Sequence, residues 1–364
     1  MSGNNVKEQN VFVKMFVPVR GDSKGTLIRK LLFIVCIIVA IVCATVVIVD
    51  FASRSKDAQI IEDLSGMMAE SASGSFSIDV QRVEEIKQEQ PEMLDKFIEL
   101  YNENSDIVGW ITVGGGDILM SYPVMMNEEE NEFYLHRNFY KQDSFSGCIF
   151  CDNHTIPFTD AHNLVIYGHH MVSGEYFGKL TYYNPYATYN RASQFIETYK
   201  TYPTIQFDTL WEEGTYKIFA GIFTNVDEKD GYVYPYHRKR KFNSELEFMD
   251  FMGNIMDRST FYTGVDVQYG DQIITLSTCY YYPVETGEQT RFVLFARKVR
   301  EGEDPSVDVD KIVVNPDPLF FDTYYKQMGG SWGGRTWDVD YPWLVKDFDK
   351  YTDIINSLGE TTAS

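Results

Sequence analysis

Nineteen consecutive residues, Leu31 to Val49, carry no charge, no proline and no glycine. No other feature restricts this chain as much. As a helix the run spans roughly 28 Å, close to the hydrocarbon thickness of a bilayer. Lys7, Lys14, Arg20, Lys24, Arg29 and Lys30 precede it against only Glu8 and Asp22, a net of +4. The whole chain carries −21, so everything after the run holds −25. A basic head, an apolar run and an acidic body predict a single membrane crossing, with the N-terminus in the cytoplasm and the body outside. The run is longer than a signal-peptide core of about 7–15 residues, and no small-x-small cleavage site follows it. A body this acidic repels phosphate backbones, so nucleic acid is excluded as a partner.

The 364 residues suit one catalytic domain with appendages. The expected order is a cytoplasmic basic tail over 1–30, a transmembrane helix over 31–49 and an extracellular stalk over 50–89. A catalytic domain over 90–300 and an acidic C-terminal extension over 301–364 follow. The stalk is Ser-rich and polar, with helical character around Gln59–Met68. Met93, Phe97, Ile98 and Tyr101 fall at helical spacing and open the domain.

From there the texture is β-like and broken by Gly, Pro, Asn and Asp. Eight strands are predicted: Ile107–Val113, Gly147–Cys151, Asn163–Tyr167, Thr204–Phe207, Tyr216–Asn225, Val265–Val267, Gln272–Ser277 and Phe292–Val299. Eight short strands point to a barrel or sandwich. Helices are predicted at Glu175–Tyr183, Ala192–Thr198 and Asn243–Arg258. The extension adds Leu319–Met328 and Pro342–Leu358, taken as an extra helix pair packed on the body.

Three segments bring chemistry to strand ends. Asn163–His169 is an apolar strand ending in Gly-His. Gln272–Cys279 is a second, ending in a thiol. Arg291 opens a third. If the last two pair as a hairpin across Tyr280–Thr290, Cys279 and Arg291 share one end. A thiolate is a nucleophile. An imidazole can protonate a leaving amine and deprotonate an incoming one. A guanidinium keeps its proton and can stabilise an oxyanion.

The words around these residues resemble the sortase family, class B. They are NLVIYGHHM, TLSTC and the Arg-led strand, together with FIELYNENSDIVGWITV, YPVM, FYLHRNF, SFSGCIFCD and GEYFGKLTYYN. The resemblance covers residues 90–300. It implies a mainly β, eight-stranded sortase-type barrel with an N-terminal helix and a helix between strands six and seven. The C-terminal helical tail departs from that pattern. It also implies a membrane-anchored cysteine transpeptidase on a Gram-positive surface, with Cys279 as nucleophile and His169 and Arg291 beside it. Such enzymes cleave a C-terminal sorting signal after Thr and form a thioester. They pass the acyl group to an amine of cell wall peptide or to a pilin lysine. Leu276, Ser277 and Thr278 match positions near the bound signal, and strand alternation puts Ser277 on the face of Cys279. No cofactor or metal is expected. Two other functions stay open on sequence: a cysteine peptidase that hydrolyses the same signal, and a catalytically silent, membrane-tethered binding scaffold.

Other signals lead to bland readings. Of five cysteines, Cys36 and Cys43 lie in the apolar run, and three lie outside, an odd number that leaves a thiol unpaired. Cys148 and Cys151 are three apart in a strand, which puts them on opposite faces and argues against a redox or metal pair. His136, His154, His162 and His237 have no partner pattern, and His237–Lys241 reads as a solvated basic loop. His170 reads as a packing neighbour. Glu128, Glu129 and Glu130 lack calcium-loop spacing. Tyr280, Tyr281 and Tyr282 replace the acidic residue that some class B members carry after the Cys, with Glu285 the nearest acid. They predict an aromatic wall to the cleft.

Overall fold

The computed structural model describes residues 15–155, 161–186, 191–280 and 290–361. The chain divides into two units, one up to Gln59 and one from Ile60. Helix α1, Lys24–Ala72, contains the apolar run and is long and apolar enough to cross a membrane.

Ten strands occur among the described residues: β1 Ile107–Val113, β2 Met120–Met125, β3 Ile149–Cys151, β4 Asn163–Gly168, β5 Thr204–Thr209, β6 Thr215–Thr224, β7 Phe261–Tyr262, β8 Ile273–Tyr280, β9 Thr290–Lys298 and β10 Val313–Val314. Eight close a barrel in the order β1-β2-β3-β4-β8-β9-β6-β5, and β5 pairs back onto β1. β7 and β10 form a separate ribbon. Period-two alternation builds the interior. Ile149 and Cys151 point into the barrel core with Ile111, Leu164, Leu276 and Leu294, while Cys148 and Phe150 face an outer layer. The two cysteines therefore lie on opposite faces, as their offset dictates.

The eight barrel strands are not the eight predicted from sequence. Met120–Met125 joins the barrel, although Pro123 disguises it. Pro123 stands opposite Trp110 on β1, just before the two-residue stretch, Val124 and Met125, that pairs with β3. A missing N–H is tolerated where the ladder is open. Val265–Val267 does not join. Its two valines are buried, which mimics strand alternation, but Val267 pairs only with Val345 in an isolated bridge.

Two outer layers cover the barrel. Helix α5, Glu245–Arg258, connects β6 to the seventh barrel strand, β8. It lays Phe248, Met252 and Met256 on Phe219, Val293 and Phe295. Its Ser244 N-cap accepts from the Glu247 N–H at 3.2 Å, which satisfies one orphan donor of the first turn. On another side, Ile60 and Leu64 of α1, Val83 and Ile86 of α2 (Val80–Glu89), and Phe97 and Leu100 around α3 (Ile98–Glu103) pack with Trp110. Much of the stretch read as a polar stalk thus contributes buried side chains from Ile60 onward. Helix α4 is Arg191–Thr201.

The acidic extension is part of the second unit and packs with α5, its Trp337, Leu344 and Phe348 lying among Phe248 and Met252. It contains β10 and helices α6 (Asp322–Met328), α7 (Trp337–Asp340) and α8 (Phe348–Thr361). Arg335 makes two bonds to the Asp257 carboxylate, at 2.7 and 2.6 Å, and the Trp337 indole donates to the same group at 2.9 Å. At the far end of β9, buried Arg297 bonds both oxygens of Glu303 at 2.6 and 2.7 Å, and Lys217 shares that carboxylate at 2.7 Å.

Candidate active site

Strand register brings the three reactive residues together. In the antiparallel β8–β9 pair, Cys279 stands directly across from Arg291, and Thr224 of β6 faces Arg291 from the other side. In the parallel β4–β8 pair, Gly168 is level with Thr278. One residue further along each strand come His169 and Cys279. The Thr278 hydroxyl donates to the Gly168 carbonyl at 2.8 Å and fixes that register at its end. Cys279, partly exposed, lines a cleft of about 480 Å³ with His169, Arg291, Ser277 and Thr278.

His169 is held from outside the barrel. Its Nε2 lies 2.8 Å from the Leu135 carbonyl. A carbonyl can only accept, so Nε2 carries the proton and the neutral ring keeps its lone pair on Nδ1. The segment carrying Leu135 is tied to β3 by the Cys148 N–H on the Tyr134 carbonyl at 2.9 Å. Gly147 permits this approach. It sits at φ +57°, and a Cβ there would lie 2.3 Å from the Leu135 oxygen. Burial pushes the His169 pKa below its ordinary value, the Leu135 bond opposes this, and His136 and Arg291 push it further down. The His136 ring lies 5.8 Å from that of His169. Sequence spacing gave His136 no partner.

One wall of the cleft was hidden from sequence reasoning. Arg240 Nη2 bonds both Asp152 oxygens at 2.8 Å, and the Tyr167 hydroxyl donates to Asp152 at 3.3 Å. Burial pulls the Asp152 pKa up, but Arg240 and His154 outweigh it and hold the carboxyl below its usual value. The basic stretch His237–Lys241 is thus solvated only in part: Arg238, Lys239 and Lys241 are exposed, while His237 and Arg240 turn to the cleft. The Arg240 carbonyl accepts from His162 and Asn163 N–H groups, and Asn163 Nδ2 donates to the Lys239 carbonyl at 2.9 Å. His154 and His237 both line the cleft, and the His162 Nδ1 accepts the Phe242 N–H at 3.1 Å.

The residues read as signal-binding separate. Ser277 lines the cleft, and its hydroxyl is engaged with the Tyr236 hydroxyl at 2.7 Å. Thr278 also lines it, with its hydroxyl turned to Gly168. Leu276 lies inside the barrel core. Tyr280 is buried behind the cleft, edge-on to Phe223 at 5.6 Å, so it forms no cleft wall. Tyr281, Tyr282 and Glu285 lie outside the described residues. His170 packs edge-on against Tyr280 at 6.2 Å. Among the described residues no His, Cys, Asp and Glu group is arranged to hold a metal.

The chain matches no protein-family model. Curated relatives do match it. It is 30% identical to Sortase B of Listeria monocytogenes over 189 residues, 52% of this chain and 68% of that protein. This chain belongs to the sortase B family. A second relative, Sortase B of Staphylococcus aureus, is 28% identical over 190 residues, 52% of this chain and 70% of that protein. The fold agrees. The crystal structure of sortase B from B. anthracis in complex with AAEK1 superposes with a TM-score of 0.52 at 26% identity. The match covers 69% of this chain and 99% of that one. The sortase described here is thus a cysteine transpeptidase, and the closed eight-stranded barrel is the scaffold for that chemistry.

Proposed function

We propose that this sortase cleaves a C-terminal sorting signal after Thr, with Cys279 as nucleophile, His169 as the proton carrier and Arg291 as the oxyanion and carbonyl clamp. The placement of Cys279 directly opposite Arg291, with His169 one step beyond the Gly168–Thr278 pair, carries this reading.

The Cys279 sulfur attacks the Thr carbonyl, and its proton passes to His169. Arg291 donates to the oxygen that gains charge. As the tetrahedral centre collapses, the C–N bond breaks and His169 returns the proton to the leaving amine. The thioester then meets an incoming amine, from cell wall peptide or a pilin lysine. A C–N bond forms, the C–S bond breaks, and the amine's proton travels through His169 back to the thiolate. Burial lowers the His169 pKa below its ordinary value, which favours the neutral ring that accepts that proton. Ser277 and Thr278 contribute to holding the signal.

The α1 segment anchors the enzyme, with residues 1–30 cytoplasmic and the catalytic domain, spanning about 90–300, outside. Surface proteins bearing the signal are the donors. The test uses the full chain in detergent with a panel of sorting-signal peptides and an amine acceptor, followed by product mass. An amide-linked product supports transfer. Hydrolysis alone at every acceptor concentration contradicts it and leaves a peptidase.

A further inference from the structure

The C-terminal extension reaches the cleft from behind at two places. The first is the loop after β6, whose Asn225 and Val226 line the cleft. Asn225 is buried and closes this loop from inside, donating to the Asp227 and Gly231 carbonyls at 2.9 and 2.8 Å. The extension closes it from outside. The Thr323 hydroxyl donates to buried Asp230 at 3.0 Å. Gly231, at φ +118°, lies so close that a Cβ would meet the Asp322 nitrogen at 2.6 Å. A side chain at 231 would therefore push the extension off the loop.

The second place is the packing behind the strand ends. Phe223 precedes Thr224, the β6 partner of Arg291, and Tyr280 follows Cys279. Their rings meet edge-on at 5.6 Å, and Phe321 of the extension lies 5.4 Å from Phe223. All three are buried. The stretch that supplies Phe321 and Thr323 is itself fixed to the end of α5. Asn315 Nδ2 donates to the Ser259 carbonyl at 2.7 Å, and the Leu319 N–H to the Asp257 carbonyl at 2.7 Å.

We propose that Asn315–Tyr325 is a positioning segment, in which Thr323 sets the cleft loop Asn225–Gly231 and Phe321 backs Phe223 at the end of β6, which borders Arg291 of β9 and packs on the Tyr280 that follows Cys279 on β8. This rests on the reading of Cys279, His169 and Arg291 as the catalytic set. The segment touches no substrate. It acts on transfer by holding Asn225 and Arg291 in place, and small displacements of positioning groups carry large rate costs. It also makes the extension part of the working enzyme rather than a detachable tail.

The test compares Thr323→Val and Phe321→Leu with Leu344→Ala, a buried change in the extension where it packs with Phe248 and Met252 of α5. Each full-length variant is assayed for kcat and KM with a sorting-signal peptide, for Tm, and for amide exchange over 225–231. Thr323→Val should lower kcat/KM about tenfold and speed exchange in that loop, with little change in Tm. Leu344→Ala should lower Tm more and keep kcat/KM within about twofold of wild type. The inference fails if Thr323→Val and Phe321→Leu both keep wild-type kcat/KM, or if Leu344→Ala loses as much. Activity surviving in Cys279→Ala, run in parallel, would instead sink the catalytic reading beneath it.

Discussion

Cys279 and Arg291 face each other across the β8–β9 ladder, so the proposed nucleophile and its proposed cation are spaced by backbone register rather than by a loop. Rigid strands hold such pairs more accurately than loops do.

Arg291→Lys tests what that cation contributes. Lysine keeps the charge and loses the planar fork, so two donors can no longer address one carbonyl oxygen and its neighbour. The variant should fold with wild-type Tm and lose about 100-fold in the rate of acylation. Stopped-flow kinetics with a signal peptide measures it. A loss under threefold would mean that charge alone suffices.

His169 predicts a dependence of stability on pH. Burial depresses its folded pKa below the ordinary value near 6.5. The unfolded chain then binds the proton more readily, so this contribution is present above the unfolded pKa. It is lost as pH falls through the folded value. Tm of the wild type should fall across that acid window, and His169→Gln should flatten the fall. Parallel curves for the two proteins would contradict the burial argument.

Arg297 tests the ion cluster at the other end of β9. Its guanidinium is 1% exposed and holds Glu303 well below the usual carboxylate range. Arg297→Met leaves Glu303, Asp266 and Asp271 short of a cation and should cost about 3–5 kcal/mol, read from urea midpoints. Glu303 contributes stability above its unfolded pKa, and the contribution disappears as pH falls through the folded value. The variant should therefore show a shallower loss of stability in acid. Activity per folded molecule should not change.

Much of this architecture is legible in the sequence because it is local. The apolar run, the strand Ile107–Val113 and the Ser244-capped helix each declare themselves within a window of residues. The co-location of His169, Cys279 and Arg291 is legible because each ends or begins an apolar strand. The cleft wall is not legible. Asp152 meets Arg240 across 88 positions and Tyr236 meets Ser277 across 41, and no periodicity encodes such pairings. The β2 strand was hidden by Pro123, whose lost donor costs little outside the β3 ladder. The burial of Ile60 and Leu64 was masked by the polar residues around them. Their spacing of four is a helical stripe too short to stand out from a stalk.

The most direct measurement is the mass of the enzyme caught during turnover. Full-length protein is mixed with a sorting-signal peptide without an amine acceptor, quenched in acid and digested. An acyl adduct on the peptide containing Cys279, absent from Cys279→Ala and discharged when amine is added, is the predicted result. An adduct on any other residue, or turnover that survives in Cys279→Ala, would contradict it.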